Sequence, residues 1–426
     1  MKRIFVYFVF FTLWFYADNS AQINYDKYFE NAAMRVDIYQ TGDAESENII
    51  LKSIKKEPYF SGSRTHLIDS LNLGYYYFYV FSAKENKLIF SKGFSTLFQE
   101  WQTTDEAKRA EKVLSYSLRF PFPKDSVKLV IKRRGKDGKF REIFTQAISP
   151  SNYFIKREMP TNYKVNKVRY SGDYKTKLDI VFVPEGYTEA ESEKFKKDCE
   201  RFADFLLNYS PFDEYANKIN IWSVNAWSQE SGVDIPGDSV YKNTILDASF
   251  YTFDSERYLM VEDYHRLADV VANVPYDQIF ALVNSSKYGG GAIYNFYNVT
   301  SVDNPRSELV FIHEFGHGLA GLADEYYTSD VSYKDYYDLS VEPWEKNITT
   351  LVDFKSKWEN LVPPDVPIPT PDDSVYYGKI GAFEGGGYMA KGVYRPTYTS
   401  IMKSLEAKRF NEVSKKAIIE VIKNYE

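Results

Sequence analysis

The residues best suited to chemistry are His313-Glu314-Phe315-Gly316-His317, inside the run LVFIHEFGHGLAGLADEYY. Histidines at i and i+4 lie on one face of a helix, so both imidazoles can reach a single metal ion. Glu314 would project beside that ion, where a carboxylate can take a proton from water. The alternative is an amphipathic helix with solvated histidines. Scarcity argues against it, because the chain has four histidines and two fall in this motif. The preceding Leu309-Val310-Phe311-Ile312 is apolar and would bury the start of the helix.

A catalytic zinc usually takes three protein ligands, and candidates follow the helix. In the metzincin pattern a glycine breaks the helix and the third ligand comes three residues later. Gly321 and Asp324 have that interval, although one extra residue separates His317 from the glycine and Asp replaces His. Gly318 is a second break point and Glu325 a second carboxylate, so the third ligand is Asp324 or Glu325. Metzincins also need a methionine turn below the metal. Tyr398-Thr399-Ser400-Ile401-Met402-Lys403-Ser404 fits, with the thioether of Met402 expected under the histidine rings. Tyr394 and Tyr398 lie close to that turn and are candidate oxyanion partners. A gluzincin arrangement is the rival. It would take Glu342 or Glu345 from a later helix, but Pro343 counts against a helix there.

Several blocks, in order, resemble the M64 metallopeptidases, called IgA peptidases. They are Leu178 to Thr188 (LDIVFVPEGYT), Glu230 to Pro236 (ESGVDIP), Gly289 to Ala292, the HEFGHGLAGLADEY segment, and Ser400 to Met402. The resemblance covers most of residues 165–426. It implies a secreted, zinc-dependent peptidase, with His313, His317 and Asp324 as ligands and Glu314 as catalytic base. The family name does not make immunoglobulin the substrate, since one fold serves many protein and glycoprotein substrates.

The elements that must position these residues fall into two regions. Residues 1–21 read as a signal peptide: Met1-Lys2-Arg3, an apolar run from Ile4 to Tyr16, then Ser20-Ala21. That run is shorter than the roughly 20 residues a membrane span needs. The expected location is therefore exported, whether periplasmic, cell-surface or extracellular, with no membrane span after removal of the signal. Residues 22–160 alternate apolar and polar in short segments such as Met34 to Tyr39, Tyr75 to Phe81, Lys87 to Ser91 and Ser126 to Lys132. An antiparallel β-sandwich is expected, joined by a linker from Ser149 to Lys167.

Residues 161–426 mix the two periodicities. Strands are expected at Leu178–Val183, Ile219–Trp227, Ile279–Val283 and Gly291–Val299. Helices are expected at Glu189–Asn208, Ser255–Val274 and Phe410–Tyr425. The fold class is thus α+β, a β-sandwich followed by a metzincin-like mixed α/β domain. The single cysteine, Cys199, excludes an internal disulfide and sits in an apolar helical stripe as a core residue. A net charge of −6 without a basic block excludes nucleic acid as an expected partner.

The expected activity is metal-assisted peptide hydrolysis, with the Gly291–Val299 strand as the cleft edge to which a peptide could add. The alternative is a non-catalytic binding module whose β-domain holds a glycoprotein and whose metal site is vestigial.

Overall fold

The structure is a computed structural model that describes residues 22–158, 161–327 and 336–425. The expected signal peptide lies outside them. A short helix, α1 (Tyr25–Tyr28), leads into β1 (Phe29–Gly42), β2 (Glu47–Glu57), β3 (Tyr76–Ser82) and β4 (Lys87–Phe94). After α2 (Leu97–Trp101) come β5 (Lys112–Pro123), β6 (Val127–Arg134) and β7 (Phe140–Ile148). These strands make two antiparallel sheets, ordered β2-β1-β5 and β4-β3-β6-β7. Phe78 and Phe90 of one sheet meet Phe120 of the other, with ring centroids 6.1 and 6.4 Å apart. The sheets therefore pack face to face, as alternating segments with one apolar face require.

The remainder is built on a six-stranded sheet. Its strands are β8 (Val165–Arg169), β9 (Leu178–Glu185), β10 (Ile219–Val224), β13 (Gln278–Val283), β14 (Gly290–Ile293) and β15 (Tyr297–Ser301). A minor ribbon, β11 (Ala248–Ser249) and β12 (Met260–Val261), interrupts the count. The order is β14-β15-β13-β9-β10-β8, parallel in the middle and antiparallel at both edges. Every residue of β9 is buried, because the sheet is covered on both sides. Ile180 and Phe182 face the core shared with α3 (Ser192–Leu207), α5 (Ser307–Ala320) and α6 (Glu412–Lys423). Val181 and Val183 point the other way. They join a core that holds α4 (Tyr264–Val270) and runs on into the N-terminal sheets. A last hairpin pairs β16 (Phe383–Gly386) with β17 (Met389–Arg395). The molecule is a mixed α/β protein with a β-rich N-terminal part.

Three expectations change. The stretch 149–167 is no free linker: Ile155 is buried, Lys156 exchanges backbone bonds with Ile54 and Lys56, and β8 starts at Val165. The helix expected at 255–274 is confined to α4, capped by the Asp263 side chain, because Tyr251, Phe253 and Asp254 have positive φ and β12 pairs as a strand. The strand expected at 291–299 is a hairpin, turned at Asn295, whose φ of 50° suits asparagine better than a branched residue.

Candidate metal centre

Helix α5 carries the motif and packs against β14 and β15. Its close approach depends on Gly318, which stays inside the helix and breaks nothing: a Cβ there would collide with the amide of Asn298. The helix ends at Gly321, whose φ of +57° is left-handed. Gly321 N–H donates to His317 O and Leu322 N–H to Gly316 O, which satisfies carbonyls at the helix end. This reversal sends Asp324 back under the histidines. The side chain of Asn347 then clamps the returning chain, donating to Ala323 O and accepting from Ala323 N, both at 2.8 Å.

Three donor atoms converge as a result. His313 Nε2 lies 3.1 Å from His317 Nε2. Asp324 Oδ1 lies 3.1 Å from the first and 3.3 Å from the second. Tetrahedral donors about 2.0–2.1 Å from one ion stand roughly 3.3 Å apart, so the triangle fits a small divalent cation. The other ring nitrogens are tied down. His313 Nδ1 is 3.0 Å from Ile401 O, and His317 Nδ1 is 2.5 Å from Leu322 O. A carbonyl only accepts, so each Nδ1 carries a proton, which leaves Nε2 as the atom each ring can present to a cation. Asp324 Oδ1 is buried and accepts no hydrogen bond, despite its short distances to both rings. An orphaned oxygen aimed at two imidazoles is a ligand geometry rather than a hydrogen-bonding one. Among the described residues, His313, His317 and Asp324 form a group able to hold a metal ion.

The charges agree with this. Burial alone would raise Asp324, but His317 and His313 outweigh it and hold the carboxyl well below the usual range. Burial alone would lower His317, but chiefly Asp324 and then Glu314 carry it up to about 9, so a proton competes with a cation for that ring. Burial pushes Glu314 above its ordinary value, against the pull of His313 and His317. Glu314 lies against the edge strand: a Cβ on Gly290 would stand 3.3 Å from its Cγ.

Glu325, the other candidate ligand, is turned away. It is fully buried and accepts from Asn347 at 3.0 Å, Asn411 at 2.9 Å and Ser400 Oγ at 2.6 Å. Its N–H donates to Met402 O. It therefore anchors the turn at 400–402. Met402 is buried under α5, where Gly316 makes room; a Cβ there would stand 3.1 Å from Sδ. Glu342 accepts from Thr350 and from the Asp353 N–H, and Glu345 from Tyr337, in a segment with no helix among its described residues.

Tyr394 and Tyr398 are placed elsewhere. Tyr398 stacks on Tyr377 with centroids 3.6 Å apart, and Tyr394 exchanges backbone bonds with Thr349. One phenol that reaches the ligand set is Tyr388, whose hydroxyl donates to Asp324 Oδ2 at 2.5 Å. It sits at the tip of the β16–β17 hairpin with φ +63°, beside Gly387 at +55°. Two residues with positive φ suit a tight hairpin, but a tyrosine there is strained, which marks a positional demand on its side chain. Tyr326 packs against it, centroids 5.4 Å apart. Sequence reasoning missed both tyrosines; the only trace was Gly385-Gly386-Gly387, which signals a turn but not its target.

Comparison with known families agrees with this geometry. No curated protein matches the chain. A model described as the peptidase M64 N-terminus matches residues 24–145, and that of the IgA peptidase M64 family matches residues 167–377 and 372–422, which include every donor named above. The chain therefore belongs to the IgA peptidase M64 family, a family of peptidases, and its His313, His317 and Asp324 could hold a metal ion.

Proposed function

We propose that the protein is an exported zinc endopeptidase of the metzincin type, acting on protein substrates, with host glycoproteins such as immunoglobulin as the candidate class. The observation that carries the reading is the convergence of His313 Nε2, His317 Nε2 and Asp324 Oδ1 beside a buried Glu314. Two imidazoles and one carboxylate are a donor set typical of catalytic zinc. The helix, the glycine reversal at Gly321 and a buried methionine turn beneath the rings support the metzincin comparison. Export rests on the basic and apolar start of the sequence.

When bound, zinc would supply a Lewis acid that polarises the scissile carbonyl and makes water a better nucleophile. His313 and His317 hold their lone pairs toward it because their Nδ1 protons are spent on Ile401 O and Leu322 O. Tyr388 fixes the rotation of the Asp324 carboxylate. Glu314, raised by burial, is suited to accept a proton from the attacking water at Oε and return it to the leaving amine. The intact donor set argues against a vestigial site.

Metal analysis of the purified protein is expected to find zinc near one equivalent, and chelation to stop casein cleavage. Glu314→Gln should keep the metal and lose at least about two orders of magnitude in rate. Asp324→Ala should lose the metal. A zinc-replete Glu314→Gln enzyme with wild-type turnover would sink the mechanism.

A further inference from the structure

The N-terminal part of the chain brings a carboxylate within electrostatic reach of the metal centre. Glu100, on α2, accepts a hydrogen bond from the hydroxyl of Tyr258 at 2.5 Å. Tyr258 is locked to the cleft edge. It forms a parallel bridge with Gly290, and Gly290 exchanges backbone bonds with Arg257 O and Leu259 N. Its ring lies over the next residue, since a Cβ on Gly291 would stand 2.7 Å from Tyr258 Cε2. On the inner side the same Gly290 abuts Glu314. A continuous line therefore runs from Glu314 across Gly290 to Tyr258 and Glu100. Glu100 lies within the electrostatic reach of His317, Asp324 and Glu314.

Two consequences follow. The outer edge of β14 is occupied at Gly290, so an added peptide strand has to turn aside or end there. At that point stands a half-buried carboxylate with no lysine or arginine partner among the described residues. Burial holds Glu100 near pKa 7, so the carboxylate is incompletely stabilised by its own surroundings. A carboxylate partly withdrawn from water without a counter-ion costs stability, and a cationic group arriving with the substrate would relieve that cost.

We infer that Glu100, oriented by Tyr258, is a specificity-determining residue that binds a cationic nitrogen of the peptide substrate where the open edge of β14 ends. The nitrogen belongs to a lysine or arginine side chain or to the free amino end of a short peptide. The inference rests on the peptidase reading above and gives the N-terminal part a direct place in the substrate cleft.

The test uses the full chain in a slowed background. Glu314→Gln and Glu314→Gln/Glu100→Gln are titrated, metal-loaded, with fluorescent peptides scanned position by position with lysine or its neutral isostere norleucine. Each peptide is used with a free and an acetylated amino end. The glutamine amide oxygen can still accept from Tyr258, so the fold is kept. The expected result is a preference for the charged member at one position, reduced about tenfold or more by Glu100→Gln. A preference that survives acetylation assigns the side chain, and one abolished by it assigns the amino end. Absence of any charge preference, or equal weakening of charged and neutral peptides, overturns the inference. Failure of the peptidase reading is separately visible, as the absence of chelator-sensitive casein cleavage by the wild-type protein.

Discussion

Asp324 and Glu325 are adjacent in sequence, yet the backbone turns one toward the histidines and the other into the core. Asp324 leaves an oxygen orphaned at the centre, whereas both oxygens of Glu325 are saturated by Asn347, Asn411 and Ser400. The two alanine variants should therefore fail differently. Asp324→Ala removes a ligand and should abolish tight zinc binding with little loss of fold stability in the metal-free protein. Glu325→Ala strands three buried donors, and at about 1–3 kcal/mol each it should lower stability by roughly 3 kcal/mol or more. Its metal affinity should fall only about 10–100-fold, as for a group one bond removed from the ion. Urea unfolding and zinc titration of both variants distinguish these outcomes. A stable Glu325→Ala protein that binds no zinc would reverse the two roles.

At the scale of elements, the sheet that carries α5 contains a buried acidic pair at the start of β9. Asp179 Oδ1 accepts from Asn220 at 2.9 Å and Trp222 Nε1 at 2.7 Å, while its Oδ2 has no partner. Asp277 Oδ2 accepts from the Asp179 N–H. Burial and then the charge of Asp277 raise Asp179, and burial raises Asp277. An acid with a raised folded pKa holds its proton longer in the native state. Its contribution is then full below the unfolded value near 4 and is lost as pH rises through the folded value. Asp179→Asn keeps the carbonyl acceptor and removes the titration. The variant should melt close to wild type at pH 4 and gain on it steadily toward pH 8. A Tm deficit of the same size at both pH values would show that titration of this carboxyl does not enter the stability.

For the whole molecule, the N-terminal sheets and the peptidase part share a core rather than meeting at a hinge. Arg35 of β1 is fully buried and pairs with Asp37, Glu57 and, across the divide, Asp269 of α4. Lys55 adds a bridge to Asp269 at 2.5 Å. Tyr116 of β5 packs on Tyr264 and Phe296, with centroids 5.8 and 4.7 Å apart. Breaking a buried pair by removing one partner costs about 3–5 kcal/mol, because the remaining charges stay desolvated. Arg35→Met should therefore lower the stability of both parts together. Denaturation followed at the metal centre and by far-ultraviolet circular dichroism should give one coincident transition in wild type and variant. Two separable transitions would mean that the parts fold independently.

What the amino-acid sequence determined by itself was local and periodic. The spacing of His313, Glu314 and His317 on one helix follows from 3.6-residue periodicity, and the alternation in β1, β3, β4 and β6 follows from the two-residue period of a strand. The Gly321-to-Asp324 interval was legible because a left-handed glycine ends a helix in a defined way. The choice between Asp324 and Glu325 was not, since both residues are carboxylates and only Asn347, Asn411 and Ser400, distant in sequence, decide which one turns inward. Tyr388, bonded to Asp324, was not legible for the same reason: a hairpin tip is aimed by the sheet that carries it, not by proximity to a motif. Glu100 could not be found at all from spacing, because more than two hundred residues of chain separate it from Glu314. Only the shared core, which lays α2 beside the edge strand, brings that carboxylate to the cleft.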